Sequence, residues 1–551
     1  MTQQFTRIGV VGTGPETTAL AGLLGSGDAV VTLGEAADLT AFASCDLIVE
    51  ALPEDAVAKA AVLAALGAVA PDAVLATSTR VLPVTALAST APMPSRVLGL
   101  RLTRLGGKAT GLVELTRTIL TDAEVLADVQ ALAAGLGVQV VTVADRVGAV
   151  STALLLPYLN DAVRMLEARY ASREDIDAAM RFGCGHPTGP LALLDLLGLD
   201  TAVDVLTALH DQTGDHLHAP APLLAQYVSA GRVGLRSGRG FYSYDGDGAV
   251  VPDELTPVGA VVDAAPRAVR RIGVIGTGTM ASGIVEVCAR SGYDVVFRAR
   301  SHDKVVGVQQ AIEASLAKAV SRGKLDEAGR DEVVRRIEGT THLAGLADCD
   351  LVVEAVVEDL AVKQALFVEL DRVLKPGAVL ATTTSSLPVV ECARVTSRPQ
   401  DVIGMHWFNP ATVMRLVEVV PTVLTAPDVV ATVLHLCDNI GKQAVLCGDR
   451  PGFIVNALLF PYLNDAVRLL EAGVATMDEI DTAVVGALGH PMGPFALIDV
   501  VGVDVTLAIQ QTLHAASREP GHAPAPSLGH LVVAGALGRK TGRGLRSYAR
   551  S

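Results

Sequence analysis

The chain has 551 residues, half of them hydrophobic, and a formal net charge of −15 at pH 7. This length is too great for one hydrophobic core and predicts three to five domains. The negative charge and the lack of any Lys/Arg-rich run argue against a broad nucleic-acid surface, so binding of an anionic substrate would depend on a few placed cations.

The first residues and the apolar stretches give no sign of export or of a membrane segment. "MTQQFTRIGVVGTG" runs directly into an apolar strand without a signal-peptide pattern, and charged residues, Pro or Gly interrupt the apolar stretches before they could span a bilayer. The seven cysteines show no CxxC or paired spacing, which favours a reduced protein without a cysteine metal site. We therefore expect a cytoplasmic protein with no membrane partner and no metal.

The sequence repeats itself, with an offset of 264 residues at the glycine loop and of 304 residues further along the chain. "RIGVVGTG" near the N-terminus recurs as "RIGVIGTG", and "PYLNDAVRMLEA" at 157–168 recurs as "PYLNDAVRLLEA" at 461–472, 304 residues later. "CDLIVEA" at Cys45 recurs as "CDLVVEA" at Cys349 with the same offset. Self-similarity of this kind indicates a tandem duplication.

Strand and helix patterns alternate after each glycine loop and give way to long helical periodicity after Asp145 and Asp449. This alternation predicts a doubly wound parallel sheet of the Rossmann-like type, followed in each repeat by an all-helical domain. We therefore predict an α/β plus all-α protein of two repeats. The expected domains are Rossmann-like domains at 1–144 and 269–448, helical domains at 145–246 and 449–551, and a linker at 247–268.

The two glycine loops differ in the residues that would meet a nucleotide. In "GTGTMASG", Gly276, Gly278 and Ala281 form a G-x-G-x-x-A pattern between a strand and a helix. The first glycine permits a tight turn, the second lets the backbone approach a pyrophosphate, and the small third residue packs helix against strand. In the first repeat "GTGPETTAL" places Glu16 towards that pyrophosphate and Thr17 at the third position, so we expect no nucleotide there.

The first repeat lacks the residues equivalent to 301–339, just after its second strand. In the second repeat this stretch is helical and charged, with Lys318 and Arg322 four residues apart on one helix face. From the residues alone, a solvated helical hairpin is an equally good interpretation.

Polar residues gather around one histidine of the second repeat. His406 follows a predicted strand, at the edge where open α/β sheets place their ligands. Ser385 and Ser386 end the preceding strand, Glu418 follows twelve residues later, and Asn456 begins the helical domain. A lone histidine is usually structural, but one oriented by a carboxylate with hydroxyl and amide donors nearby suits removal of a proton from an alcohol during hydride transfer.

Several motifs of the second repeat resemble the 3-hydroxyacyl-CoA dehydrogenases, especially the short-chain 3-hydroxybutyryl-CoA type. They are "TSSLPV", "GMHWFNPATVMRLVEVV", "DRPGFIVNALLFPYLNDAVRLLEAG", "GHPMGPFALIDVVG" and "GRKTGRG", in order within residues 270–551. The resemblance implies an oxidoreductase that interconverts (3S)-hydroxyacyl-CoA and 3-oxoacyl-CoA with NAD(P). Two alternatives remain open: the same chemistry on an acyl-carrier-protein thioester, and a non-catalytic protein that binds a cofactor.

The resemblance also implies roles for individual residues. His406 is the general base, Glu418 orients it, Ser385 and Asn456 hydrogen-bond the 3-hydroxyl or 3-keto oxygen, and Asn409 supports the histidine segment. The helical insertion is expected to hold the phosphates of coenzyme A through Lys318, Arg322 and Lys324. The expected cofactor-binding residues are Gly276, Gly278, Met280, Ala281, Arg300, Glu354 and Lys363.

The first repeat loses most of this set. Aligned by the repeat, Ser385, His406, Asn409 and Asn456 become Arg80, Arg101, Arg104 and Thr152, while Glu114 is retained. Arginine stays protonated and cannot act as the base, so we expect this repeat to be catalytically silent. Helical domains pair into dimers in the resembling family, which predicts an intramolecular pseudo-dimer with one active site.

The end of the second strand, "GYDVVFRARS", predicts the cofactor. NAD-dependent Rossmann enzymes place Asp or Glu there to bind the ribose 2′-hydroxyl, whereas this chain has Ala299 followed by Arg300. An arginine suits a 2′-phosphate. We therefore predict a preference for NADP(H), with NAD still possible.

Overall fold

The computed structural model describes residues 5–25, 30–33, 38–105, 108–252 and 263–548, and all structural statements below refer to them. The middle of the expected linker, 253–262, lies outside the described residues. Both ends of that linker belong to neighbouring elements. Val251 pairs with Ser243 in a two-stranded hairpin, and Arg267 forms ion pairs with Asp401 and Asp428 of the second repeat.

The first repeat opens with a seven-stranded sheet in the order β2-β1-β3-β4-β5-β6-β7. All neighbours are parallel except the antiparallel pair β5 and β6, and the central strands are buried along their whole length, as expected for a sheet covered on both faces. Its elements are β1 (Ile8–Gly12), α1 (Pro15–Leu24), β2 (Val30–Leu33), β3 (Leu47–Ala51), α2 (Ala56–Val69), β4 (Val74–Thr77), α3 (Val84–Ala88), β5 (Val97–Leu105), β6 (Lys108–Arg117), α4 (Ala123–Gly135) and β7 (Gln139–Ala144).

Five helices and a short hairpin complete the first repeat: α5 (Ser151–Glu167), α6 (Arg173–Cys184), α7 (Pro190–Leu197), α8 (Leu199–Thr213), α9 (Pro222–Ser229), β8 (Ser243–Tyr244) and β9 (Val250–Val251). Local sequence fixes their ends. Ser172 caps α6 by accepting a hydrogen bond from Asp175 N, and the helix ends at Gly185 in the left-handed conformation.

The second repeat has an eight-stranded sheet in the order β12-β11-β10-β13-β14-β15-β16-β17. Its extra edge strand, β12, follows the two helices of the segment that the first repeat lacks. The elements are β10 (Arg271–Ile275), α10 (Thr279–Arg290), β11 (Asp294–Arg298), α11 (His302–Ser321), α12 (Glu327–Arg335), β12 (Ile337–Thr340), β13 (Leu351–Glu354), α13 (Leu360–Val373), β14 (Val379–Thr382), α14 (Val389–Ala393), β15 (Val402–Trp407), β16 (Leu416–Pro421), α15 (Pro427–Asn439) and β17 (Gln443–Leu446). The predicted doubly wound fold is thus confirmed in both repeats.

The second helical segment matches the first helix for helix. Its helices are α16 (Val455–Glu471), α17 (Met477–Leu488), α18 (Pro494–Val501), α19 (Val503–Ser517) and α20 (Pro526–Val533). Thr476 and Glu479 form a capping box at the start of α17. Among the described residues no single helix is long and apolar enough to cross a membrane, while α18 and α19 meet that test only jointly, with a bend of 99° between them.

The chain divides into two compact units that do not coincide with the predicted domains. The first comprises Met1–Arg164, Pro190–Asp253 and Leu459–Ser551, and the second comprises Met165–Gly189 and Glu254–Leu458. In the first unit, α17 of the second repeat packs on β5, β6 and β7. In the second unit, α6 of the first repeat packs on β16 and β17. Each sheet therefore carries a helix from the other repeat, which boundaries drawn along the chain did not anticipate.

Candidate active site

The predicted histidine and glutamate lie opposite each other on neighbouring antiparallel strands. His406 of β15 pairs in register with Glu418 of β16, and its Nδ1 lies 2.6 Å from Glu418 Oε2. Both side chains are buried, with exposures of 6% and 0%. Because Nδ1 faces the carboxylate, Nε2 is the ring nitrogen left for proton exchange.

The second carboxylate oxygen of Glu418 reaches the helical segment. Glu418 Oε1 accepts hydrogen bonds from Ile454 N at 2.9 Å and Val455 N at 2.8 Å, at the start of α16. Phe453, just before them, has a φ of 48°, in the left-handed region that a bulky residue rarely adopts. Its ring centroid lies 5.5 Å from that of His406. One glutamate therefore fixes both the imidazole and the first turn of α16.

Asn409 follows His406 by three residues, and Asn456 follows Glu418 at the start of the helical segment. Asn456 lies in the first turn of α16 and is 7% exposed, whereas Asn409 is exposed and precedes a cis peptide bond to Pro410. Neither side chain hydrogen-bonds to His406 within the described part of the chain. Their assignment as ligands of the substrate oxygen and as support for the histidine segment stays a prediction.

Ser385 lies on a turn after β14 that is organised by an acid the sequence analysis missed. Glu358 Oε1 accepts hydrogen bonds from Thr384 Oγ1 at 2.6 Å, Ser385 N at 2.9 Å and Ser386 N at 3.2 Å. Both serine hydroxyls also donate to it, at 3.3 and 3.2 Å. Burial raises the pKa of Glu358, but the hydrogen bond from Thr384 and the charge of Lys363 outweigh burial, so the pKa lies below its usual range.

A signal for Glu358 existed in the repeat. Its counterpart Glu54 makes the same kind of contact in the first repeat, where Glu54 Oε2 accepts from Thr79 Oγ1 at 2.6 Å and Oε1 accepts from Arg80 N at 2.6 Å. An acid kept at this position in both repeats could have indicated that it shapes the turn after β4 in the first repeat and after β14 in the second.

Glu354 and Lys363, which are predicted to bind the cofactor, form a buried ion pair. Both are buried at 0% exposure and are paired with each other, with Lys363 Nζ 2.8 and 2.9 Å from the two Glu354 oxygens. Glu50 and Lys59 repeat this buried pair in the first repeat at 2.9 Å. The pair joins β13 to α13, and the role of its two residues in cofactor binding stays a prediction.

The glycine loop of the second repeat leaves room for a nucleotide. A Cβ on Gly276, whose φ is 142°, would lie 2.3 Å from Ala355 O, so only glycine fits this turn. A Cβ on Gly278 would meet nothing within 4 Å, which leaves open space where α10 begins. Ala281 is 1% exposed, as a residue between helix and sheet should be, and Met280 is half-buried against the same core. The loop fits a pyrophosphate approached by backbone N–H groups.

The end of β11 lies beside that loop, since Gly276 N donates to Arg298 O at 3.3 Å. Ala299 is 2% exposed and its N–H donates to Thr340 O at 2.9 Å. Arg300 is exposed. The side chain of Arg300 is therefore exposed at the strand end that borders the glycine loop.

A cavity of about 280 Å³ extends from the loop to α11. Its lining includes Thr277 and Ser282 from the loop side, Pro410 after β15, and Ala311 and Ser315 on one face of α11. The predicted cations follow on that helix and just after it, and all three are exposed: Lys318, Arg322 and Lys324. No group of three or more His, Cys, Asp or Glu in the described ranges could hold a metal ion.

In the first repeat an arginine occupies the place of the histidine. Arg101 lies opposite Glu114 in the same register and forms an ion pair with it. It also donates to Thr152 Oγ1 at 2.6 Å and Ser151 Oγ at 2.9 Å, at the start of α5. The buried guanidinium thus fills the position where the second repeat has its acid/base group.

The glycine loop of the first repeat has an acid in the first turn of the helix that follows it. Glu16, in the first turn of α1, accepts hydrogen bonds from Ser78 Oγ and Arg80 Nη2, both at 3.1 Å. Arg104 Nη1 lies 3.8 Å from the same carboxylate. A carboxylate held at this helix N-terminus would repel a pyrophosphate.

Comparison with family models matches both domains of one family twice. The model for the NAD-binding domain of 3-hydroxyacyl-CoA dehydrogenase matches residues 25–146 and 271–450, and the model for its C-terminal domain matches 148–244 and 452–548. The first of these matches begins after the altered glycine loop, whereas the second includes the intact one.

Individual relatives each cover about half of this chain. A 3-hydroxybutyryl-CoA dehydrogenase of Mycobacterium tuberculosis is 46% identical over 283 residues, 51% of this chain and 99% of the relative. Human mitochondrial hydroxyacyl-coenzyme A dehydrogenase is 42% identical over 289 residues, 51% of this chain and 91% of the relative.

Solved structures give the same result. The crystal structure of M. tuberculosis FadB2 covers 51% of this chain and 100% of its own, with a TM-score of 0.50 and 46% identity. That of (S)-3-hydroxybutyryl-CoA dehydrogenase PaaH1 from Ralstonia eutropha has the same coverage, a TM-score of 0.51 and 36% identity. The chain therefore belongs to the 3-hydroxyacyl-CoA dehydrogenase family, as a tandem duplication in which both family domains occur twice.

Proposed function

We propose that the second repeat interconverts (3S)-hydroxyacyl-CoA and 3-oxoacyl-CoA by hydride transfer with NAD(P), with short acyl chains such as 3-hydroxybutyryl-CoA as substrates. The observation that carries this proposal is the buried pair of His406 and Glu418 at the carboxyl end of β15, 2.6 Å apart. The names of the relatives support the substrate class.

In the direction of oxidation, Nε2 of His406 removes the proton of the 3-hydroxyl group while the C3 hydride leaves. The nicotinamide, when bound, accepts that hydride. The hydrogen bond from Nδ1–H to Glu418 keeps the ring in the tautomer whose Nε2 can accept a proton, and the carboxylate stabilises the imidazolium that forms. In reduction the proton returns from His406 to the 3-keto oxygen.

Ser385 and Asn456 are proposed to hydrogen-bond the reacting oxygen. Glu358 supports this role for Ser385, because its hydrogen bond from Ser385 N fixes the turn from which the serine projects. The Ser385 hydroxyl, which donates its one proton to Glu358 in this structure, would have to turn away from Glu358 to donate to the substrate. Glu418 supports the role of Asn456, because it fixes the two backbone N–H groups just before the asparagine. Preorganised donors of this kind stabilise charge that develops on an oxygen in the transition state.

The substrate is proposed to lie along the cavity between the glycine loop and α11. Its carrier would be coenzyme A, whose phosphates need cations, and Lys318, Arg322 and Lys324 are exposed at the end of that helix. In a chain with a net charge of −15, these three cations lie in a segment, 314–325, that contains no acid and is bordered by Glu313 and Asp326, and they provide a local attraction for phosphates.

The first repeat is proposed to be a silent partner. Arg101 replaces the base, and Glu16 places a carboxylate beside its glycine loop. Its α6 instead packs on β16 and β17 of the active repeat, which supports an intramolecular pseudo-dimer with one active site.

A spectrophotometric assay with acetoacetyl-CoA, run with NADH and NADPH in parallel, tests the proposed function. We expect oxidation of the reduced cofactor that saturates with free acyl-CoA at micromolar levels. Saturation only with acyl-carrier-protein thioesters would change the carrier. No turnover with either thioester, together with retained cofactor binding, would refute the enzyme assignment.

A further inference from the structure

The same backbone hydrogen bond between the two repeats occurs once in each compact unit, and the side chains at the two equivalent bonds differ. Ala144 N donates to Val474 O at 2.8 Å in the first unit, and Gly448 N donates to Tyr170 O at 3.2 Å in the second. The repeat aligns Ala144 with Gly448 and Tyr170 with Val474. The backbone arrangement is therefore shared, whereas the tyrosine and the glycine face each other only beside the active repeat.

Tyr170 holds Gly448 more firmly than Val474 holds Ala144. Tyr170 Oη donates to Gly448 O at 2.6 Å, so both the N–H and the C=O of this glycine are bonded to one residue of the first repeat. A Cβ on Gly448 would lie 2.9 Å from the tyrosine ring, which explains the glycine. The guanidinium carbon of Arg450 lies over the ring of Tyr170, 5.0 Å from the ring centroid.

Gly448 opens the segment that links β17 to the start of α16. The next residue, Asp449, accepts hydrogen bonds from Val389 N and Val390 N, both at 2.8 Å, in the helix that follows the Ser385 turn. A few residues later come the two N–H groups bound by Glu418. A shift of Gly448 would therefore displace both the helix after the Ser385 turn and the first turn of α16, which carries Asn456.

Two residues of the first repeat, Tyr170 and Cys184, lie close enough to Glu418 for its charge to raise their pKa values. Burial, then the nearby Cys447 and Glu418, raise the pKa of Tyr170, so its hydroxyl stays a neutral hydrogen-bond donor at any working pH. Burial and then the charge of Glu418 raise the pKa of the Cys184 thiol, at the end of α6, to about 12. The first repeat thus contributes part of the low-dielectric surroundings of the glutamate.

We propose that Tyr170, a residue of the silent repeat, is a positioning residue for the active site of the other repeat, acting by fixing Gly448 and through it the first turn of α16 against Glu418. This inference rests on the proposed dehydrogenase function of the second repeat. It gives the silent repeat a specific part in catalysis besides covering an apolar surface.

The test replaces Tyr170 and its glycine, separately and together. Tyr170→Phe removes the bond to Gly448 O together with the contact between the Tyr170 hydroxyl and the Cys447 thiol. It should lower kcat by about tenfold, with KM for acetoacetyl-CoA and cofactor within about twofold of the natural protein. Gly448→Ala alone should lower the thermal midpoint, because its Cβ meets the tyrosine ring. The double variant Gly448→Ala/Tyr170→Val copies the pair present at Ala144 and Val474. It should regain thermal stability while kcat stays low.

The control is Val474→Ala, which changes the matched contact of the first unit and should leave kcat unchanged. A purely structural role for Tyr170 predicts instead that kcat recovers with stability in the double variant, and that result, or a Tyr170→Phe variant with natural kcat, would overturn the inference. Failure of the proposed function is a separate outcome, because the natural protein would then show no turnover at all.

Discussion

Arg101 pairs with Glu114 in the same cross-strand register that joins His406 to Glu418. In both repeats the glutamate thus accepts two backbone hydrogen bonds from the start of the next helix. The residue opposite the glutamate is His406 in one repeat and the permanently charged Arg101 in the other. Because Glu114 keeps these contacts without a histidine, the glutamate has a structural function in both repeats, and the proposed chemical function applies only to Glu418, which faces His406.

Restoring the histidine in the first repeat should restore no activity. We expect Arg101→His in a His406→Gln background to turn over no faster than His406→Gln alone, because Glu16 still places a carboxylate beside the glycine loop and Arg80 still replaces the serine. The mutated background ensures that any turnover comes from the first repeat. Turnover of the double variant clearly above its background would show that this repeat can still bind cofactor and substrate.

Replacing His406 by Gln should lower kcat by about 10²- to 10⁴-fold, the usual contribution of a positioned general base. Steady-state kinetics with acetoacetyl-CoA measure the loss, and thermal unfolding shows whether the variant still folds. His435→Gln is the control, since His435 is exposed on α15 and should leave kcat unchanged. Near-natural turnover in His406→Gln would mean that another group removes the proton.

Deleting residues 1–246 should expose the apolar face that α6 covers on the second sheet. Gly183 of α6 packs so closely there that a Cβ would lie 2.8 Å from Leu416 Cδ2. Exposed apolar surface of this kind drives association, so we expect aggregation or a homodimer of the second repeat. Light scattering coupled to size-exclusion chromatography gives the mass. A fully active, well-behaved monomer would argue against the pseudo-dimer.

Sequence reasoning reached the fold and the central pair because both follow from local signals. The twelve-residue spacing of His406 and Glu418 spans one hairpin of neighbouring strands, and the offset of the repeat identified the altered copy. Contacts between residues distant in sequence carry no such signal, so the approach of Tyr170 to Gly448, 278 residues apart, could not be read from the chain. Glu354 is predicted as a cofactor-binding residue from the family resemblance, which gives no sign of its ion pair with Lys363.

Thermal stability should depend on pH through two carboxyl groups in the first unit. Asp161 of α5 and Asp465 of α16 line a cavity of about 220 Å³. Burial raises the pKa of each to about 7, although the nearby Arg164 and Arg468 lower it. Because these values exceed 3.8, the value expected in the unfolded chain, the folded state keeps protons that the unfolded state has released. The free energy of unfolding should therefore fall as pH rises from about 4 to about 7 and then level off.

The variant Asp161→Asn/Asp465→Asn should remove most of this dependence. We expect its thermal midpoint to exceed that of the natural protein by a few degrees above pH 7, and the two to converge towards pH 4. Asp438→Asn, at an exposed position on α15, is the control and should leave the pH profile unchanged. A natural protein whose midpoint does not change between about pH 5 and pH 7 would contradict the titration of these groups.

The cofactor preference should follow from the two residues after β11. Ala299 is buried and offers no carboxylate to a ribose 2′-hydroxyl, while the exposed Arg300 can bind a 2′-phosphate. We expect the ratio of kcat/KM for NADPH over NADH to exceed one in the natural protein. A charge-assisted hydrogen bond contributes about 1.5–3 kcal/mol, so Ala299→Asp/Arg300→Ile should lower that ratio by about tenfold or more.

Arg335→Ile removes an exposed cation from α12 and should leave the ratio unchanged, which separates a local contact from the general loss of positive charge. A natural ratio below one, or a ratio that the double substitution does not move, would contradict the role of Arg300. Neither result would affect the assignment of His406, because the hydride acceptor is the same nicotinamide in both cofactors. The preference is therefore tested independently of the chemistry.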